Sequence, residues 1–151
     1  MSETVICSEA EMLSLGKRLA ASLQPPRVVY LYGPLGAGKT TFVRGVLQGL
    51  GYTGAVKSPT YTIVEPYELE SITLYHFDLY RLNDPEELEA LGIRDYLSEA
   101  ALCLIEWPER GGDSLPPADA SLVFRYHHGE NTARRLSVQG LDLSLALSSQ
   151  Q

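Results

Sequence analysis

Nine residues, Gly33-Pro34-Leu35-Gly36-Ala37-Gly38-Lys39-Thr40-Thr41, constrain this chain more tightly than any other segment. They fit G-x-x-x-x-G-K-[ST], a loop that cradles phosphates, and the motif has meaning only between a strand and a helix. The flanks meet that condition. Arg27-Val28-Val29-Tyr30-Leu31-Tyr32 is β-branched and aromatic, as a strand requires, and Phe42, Val43, Val46, Leu47 and Leu50 recur at helical spacing. The expected fold is therefore an α/β nucleoside-triphosphatase domain.

The residue types predict the chemistry of the loop. Gly33, Gly36 and Gly38 let the backbone come close to oxyanions, and Leu35 and Ala37 contribute main-chain N–H groups between them. These amides and the N-terminus of the following helix face phosphate with partial positive charge. Lys39 adds a mobile full charge at the β/γ bridge, and Thr40 presents a hydroxyl to Mg²⁺, a hard ion that needs few protein oxygens. Thr41 either caps the helix start or touches the α-phosphate.

A chain of 151 residues makes one domain, long enough to bury roughly 70% of its unfolded surface. We read residues 1–151 as that domain, with no assigned element beyond about residue 141. No apolar run approaches a membrane-spanning length, and the first residues are acidic rather than signal-like, so a cytoplasmic protein is expected. Cys7 and Cys103 lie in apolar segments with no cysteine or histidine at metal spacing, and are read as reduced core residues. The net charge of −7 argues against unaided binding of nucleic acid, which needs clustered Lys and Arg.

Along the chain, residues 4–7 read as a short strand. Ser8 and Glu11 make a capping box that opens an amphipathic helix over residues 8 to 23. Residues 61–67 and 72–80 are strand-like and too close together for a parallel crossover, so they should pair antiparallel. Asn83-Asp84-Pro85 starts a helix that stops at Gly92, and a second short helix covers 94–99. Residues 101–105 form a continuous apolar run, expected as a central strand. A glycine- and proline-rich loop (111–117) then leads to a hairpin of 121–127 and 132–138.

A phosphate loop also needs a carboxylate from another strand. Glu106 ends the apolar run and emerges beside Thr40 if strands 27–32 and 101–105 are parallel, because ligands gather beyond the carboxyl ends of such strands. Asp78 lies on an apolar strand face, where it either orders water or binds metal, or else pairs with Arg81 or caps a helix. His76 on the same face reads as a packed residue rather than a base. Thr60, in Ser58-Pro59-Thr60, is placed to sense a γ-phosphate, though a plain turn would look the same. Trp107 either stacks on a ligand or packs in the core, and Arg134-Arg135 reads as a solvated strand edge.

Four blocks in order, the glycine loop, Ser58-Pro59-Thr60-Tyr61, His76-Phe77-Asp78-Leu79-Tyr80-Arg81 and Glu106-Trp107-Pro108-Glu109, make the chain resemble the bacterial TsaE family of tRNA threonylcarbamoyladenosine biosynthesis ATPases. The resemblance covers the chain from the opening helix to the final hairpin. It implies a three-layer sandwich on a mixed parallel and antiparallel sheet, with the phosphate loop at the sheet's edge. It further implies a weak Mg²⁺-dependent ATPase that acts on a threonylcarbamoyl transferase (TsaD-like) and its inactive paralogue (TsaB-like), meeting tRNA only through them. The implied roles put Lys39 and Thr40 on phosphate and metal, Asp78 and Glu106 as active-site carboxylates, Thr60 as a switch-like sensor and Trp107 beside the nucleotide. One competing reading is a small-molecule kinase, which needs a substrate-binding insert and an arginine-rich lid that the chain lacks. Another is a GTPase-type switch, which needs an Asn-Lys-x-Asp segment absent here. A nucleotide-gated interaction module with negligible hydrolysis is the third.

Overall fold

The computed structural model describes residues 2–70, 72–98, 100–127 and 133–144. Seven strands form a single sheet: β1 (Ser2–Ile6), β2 (Arg27–Tyr32), β3 (Val64–Glu68), β4 (Thr73–Asp78), β5 (Ala101–Glu106), β6 (Ala120–Tyr126) and β7 (Arg134–Gln139). Their spatial order is β1-β7-β6-β2-β5-β4-β3. The inner four, β6, β2, β5 and β4, are mutually parallel, and β3 and β7 close them off antiparallel. The expected pairing of the 61–67 and 72–80 segments is thus observed. The phosphate loop, however, follows β2, the middle strand of seven, and does not lie on a sheet-edge strand.

Side-chain alternation divides the core in two. Val29 and Leu31 of β2, Leu102 and Leu104 of β5 and Leu74 of β4 face helices α1 (Glu9–Leu19) and α2 (Lys39–Gly49). On the opposite face Phe77, Cys103 and Ile105 pack against α3 (Glu86–Leu91) and α4 (Ile93–Ser98) through Leu88 and Ile93. The result is three layers. Every residue of β5 is buried, which accounts for its continuous apolar reading. Among the described residues no helix is long and apolar enough to cross a membrane.

Several boundaries shift for local reasons. Helix α1 runs from the Ser8 cap, whose Oγ accepts from the Glu11 N–H at 3.1 Å, and residues 20–22 tighten into a 3₁₀ turn. The Glu11 carboxylate reaches the N–H of Cys7 at 2.8 Å rather than that of Ser8. Cys7 itself is exposed, against its expected place in the core, because β1 ends at Ile6 and the chain turns outward into the cap. Strand β3 begins only at Val64, because the Ile63 N–H donates to the Pro59 carbonyl at 2.8 Å and closes a turn. The last hairpin forms as expected, with its turn (128–131) and Thr132 outside the described residues, as are the predicted helix end at Glu99 and the chain beyond 144.

Helices α1 and α2 touch through glycines. A Cβ on Gly16 would lie 2.4 Å from the Phe42 carbonyl oxygen, and one on Gly45 would lie 2.3 Å from that of Leu13. The two helix backbones are in contact, and this seats the start of α2 against the sheet. Gly16→Ala should therefore destabilise the protein by about 1–3 kcal/mol. The better helix propensity of alanine recovers no more than about 1 kcal/mol of that. Urea unfolding should show a lower midpoint at unchanged slope; a midpoint equal to or above the parent's would contradict this close packing.

Candidate functional site

The loop between β2 and α2 has the backbone that its glycines permit. Gly33, Gly36 and Gly38 take φ values of 148°, 74° and 105°. Gly38 is the N-cap of α2, and among the described residues no side-chain cap hydrogen bond closes that helix end, in contrast to the Ser8 cap of α1. The first amides of α2 thus remain directed at the loop, the arrangement that attracts an oxyanion.

A cleft of about 400 Å³ opens over the loop. Leu35, Gly36, Gly38, Lys39, Thr40 and Thr41 line it from the loop and helix, and Thr60, Asp78, Glu106 and Trp107 line it from elsewhere. Three members of the motif, Gly33, Pro34 and Ala37, do not face it. Ala37 is buried in the core, and Gly33 contributes its carbonyl, which accepts from Lys39 Nζ. Thr41 sits inside the first turn of α2, so it does not serve as the cap.

The carboxylates arrive from the parallel strands. Leu31 of β2 is in register with Glu106 of β5, which in turn is in register with Asp78 of β4. Both acids therefore end adjacent strands at the same level and on the same face. Thr40 Oγ1 donates to Glu106 Oε2 at 3.2 Å, the juxtaposition expected of parallel strands. The same oxygen accepts from His76 Nε2 at 2.5 Å. Asp78 Oδ1 accepts from the Tyr80 N–H at 3.0 Å, a local bond to the backbone and not a pair with Arg81. Arg81 instead lies over the Tyr61 ring, 4.5 Å from its centroid.

Lys39 is 4% exposed, and its Nζ stands 4.1 Å above the centroid of the Trp107 ring. Burial pushes its ammonium below the usual lysine range, and Glu106, Asp78 and Glu109 pull the other way. Asp78 moves upward, first because it is buried; the Tyr80 N–H opposes the rise and Glu106 adds to it, while His76 and Lys39 lower it. Trp107 packs on the second core cluster, with its ring centroid 4.8 Å from that of Tyr80, and also lines the cleft. Thr60 is held by Ser58, their hydroxyls 2.6 Å apart.

Sequence reasoning missed four lining residues, Ser8, Glu9, Met12 and Arg134. Arg134 is not a solvated edge residue: Nη2 donates to the Gly36 carbonyl at 3.2 Å, strapping β7 to the phosphate loop. Its neighbour Arg135 is the exposed one and pairs with Glu3 at 2.7 Å. No local signal separates the two arginines; the alternation along β7 does, once its pairing with β6 is known.

The raised Asp78 proton affinity makes a signed prediction. The native state holds that proton more tightly than the unfolded chain, so the associated stability is full below the ordinary carboxylate range and lost as pH rises through the elevated pKa. Asp78→Asn keeps an acceptor for the Tyr80 N–H without the buried charge. Its stability relative to the parent should therefore grow as pH is raised from about 4 to about 7. Urea midpoints of the two proteins across that range test this; parallel curves would refute it.

A family model described as "Threonylcarbamoyl adenosine biosynthesis protein TsaE" matches residues 6–136. The tRNA threonylcarbamoyladenosine biosynthesis protein TsaE of Haemophilus influenzae is 53% identical over 127 residues, covering 81% of this chain and 80% of the relative. Its namesake from Bacillus subtilis is 41% identical over 115 residues, 76% of this chain and 72% of the relative. The crystal structure of Bacillus subtilis YdiB superposes with a TM-score of 0.78 at 28% identity, covering 99% of this chain and 91% of that one.

Proposed function

This chain belongs to the TsaE family, and from that we propose that it is the ATP-binding, ATP-hydrolysing subunit of tRNA threonylcarbamoyladenosine modification. In this reading it acts on the threonylcarbamoyl transferase and that enzyme's inactive paralogue, does not perform the transfer, and meets tRNA through them. The observation that carries the hydrolytic part is the meeting of the Thr40 hydroxyl and the Glu106 carboxylate, 3.2 Å apart, at the start of an α2 helix that no side chain among the described residues caps.

That donor set fits Mg²⁺. A hydroxyl and a carboxylate are hard oxygen ligands, and Mg²⁺ bound with phosphate needs only one or two such protein groups. Among the described residues no cluster of three or more His, Cys, Asp or Glu side chains could hold a metal unaided. Thr40 and Glu106 would hold the ion, which when bound neutralises charge on the phosphate oxygens. The amides of Leu35, Gly36 and Gly38 and those of Lys39, Thr40 and Thr41 bind and orient the phosphates. Lys39, buried and poised within reach of the loop, adds its charge where the transferred group becomes more negative. Asp78, beside Glu106 and within the cleft, is the carboxylate we assign to the attacking water. Thr60, which also lines the cleft, reads the terminal phosphate, and Trp107 packs beside the nucleotide.

Lys39→Ala should weaken ATP binding roughly tenfold or more, about 1.4 kcal/mol, whereas Glu106→Ala should retain ATP and lose turnover by about 10²-fold or more. Calorimetric titration and phosphate release distinguish the two. Parent-level affinity in the first variant or parent-level turnover in the second would reject these roles. For the wider reading, ATP hydrolysis should rise when the purified transferase assembly is added. Phosphate transfer to a small molecule in place of stimulation would point to a kinase.

A further inference from the structure

His76 is 0% exposed on the face of β4 and β5 that carries Leu74, Leu102 and Leu104 and ends in Asp78 and Glu106. An imidazole there carries a desolvation cost that a leucine would not. Its Nδ1 has no hydrogen-bond partner among the described residues, and its one side-chain hydrogen bond among them is to Glu106. Packing alone therefore does not account for a histidine at this place. A carboxylate can only accept, so the 2.5 Å bond has Nε2–H as donor and Glu106 Oε2 as acceptor.

We propose that His76 is a positioning residue that fixes the rotamer of Glu106, the carboxylate to which we assign the metal; this inference rests on the function proposed above. Glu106 has three side-chain torsions, and the described hydrogen bonds of its carboxylate come from only two side chains, both to Oε2. Thr40 is one of them, and its oxygen is the other group assigned to the metal. Once that hydroxyl is engaged elsewhere, His76 is the donor that still holds Oε2. Because His76 sits on a strand within the parallel core, its own position is set by the sheet rather than by a loop. The second oxygen, Oε1, is thereby presented in a constant direction. Outer groups that orient a metal-binding side chain commonly change metal affinity or activity by about 10–100-fold when removed.

The test uses the full-length protein and two variants. His76→Leu removes the donor at similar volume, and His76→Gln keeps an N–H donor of comparable reach. The probe is Mn²⁺, titrated by electron paramagnetic resonance into the ATP complex, with ATP affinity measured separately in the absence of divalent metal. His76→Leu should weaken Mn²⁺ binding at least about tenfold, and His76→Gln should restore it to within about threefold, with metal-free ATP affinity little changed in both. Unchanged Mn²⁺ affinity in His76→Leu overturns the proposal. So does an equal loss in both variants, or a loss of metal-free ATP binding in step with it, since each assigns His76 to packing.

If His76→Leu does not fold, the parent still decides through its imidazole nitrogen-15 spectrum. The His76 N–H signal should be protected from exchange and should shift in Glu106→Gln; a rapidly exchanging or unmoved signal refutes the contact. Hydrolysis is scored separately. A parent that shows the Mn²⁺ pattern but no turnover, even with the transferase assembly, defeats the hydrolytic reading and leaves the positioning role supported. A parent that binds no Mn²⁺ with ATP defeats both.

Discussion

The parallel ladder between β2 and β5 is the constraint on which the rest of the molecule depends. Its register pairs Leu31 with Glu106, so the strand that launches the phosphate loop and the strand that ends in the carboxylate finish side by side. A slip of one residue would turn Glu106 to the face covered by α3 and α4, away from Thr40. The register is well defended, because every residue of β5 is buried, with Leu102 and Leu104 packing on one face and Cys103 and Ile105 on the other. The apolar sequence Ala101-Leu102-Cys103-Leu104-Ile105 thus does more than stabilise the core: it sets the position of the acid that follows it.

The polar groups gathered at this end of the sheet offset one another's burial. Lys39, His76, Asp78 and Glu106 are all buried or nearly so, and a lone ion in any of these places would be costly. The ammonium lies among carboxylates and over the Trp107 ring, Glu106 takes two hydrogen bonds, and Asp78 takes one from the backbone. The offset is incomplete. Lys39 is pushed down and Asp78 up, the two directions in which burial disfavours charge. On the function proposed above, these two destabilised ions lie beside the start of α2 at the place where phosphate and metal would offset their burial.

Much of this was legible in the sequence, for identifiable reasons. The strand, glycine loop and helix are contiguous, so the motif could be read without knowing the fold. The position of Glu106 beside Thr40 followed from one topological rule about parallel strands and needed only the length of the apolar run. Other features depend on pairings between distant segments. Arg134 meets Gly36 only because β7 pairs with β6 and β6 with β2, and nothing near residue 134 signals this. The contact of His76 with Glu106 likewise requires the β4–β5 register, and a histidine among tyrosines reads as ordinary packing until that register is known. Cys7 failed in the opposite direction: an apolar neighbourhood in sequence did not translate into burial, because the chain was already turning into a helix cap.

The backbone strain of the molecule is concentrated at the same place. Among the described residues the only non-glycine positions with positive φ are Ile63, at 70°, and Trp107, at 57°. A β-branched residue in that region is a genuine outlier, and each such position costs on the order of 1–3 kcal/mol. Ile63 ends the segment that carries Thr60, and Trp107 directly follows Glu106. Each is over-determined by its surroundings. The Ile63 N–H donates to Pro59 and its carbonyl accepts from the Asp78 N–H at 2.9 Å, while the Trp107 N–H donates to the Leu31 carbonyl at 3.3 Å. Both strained residues are therefore tied to the inner parallel strands, one to β4 and one to β2. The sheet that aligns the two carboxylates also holds the segment after Thr60 and the indole beside Lys39 in conformations that neither segment would adopt alone.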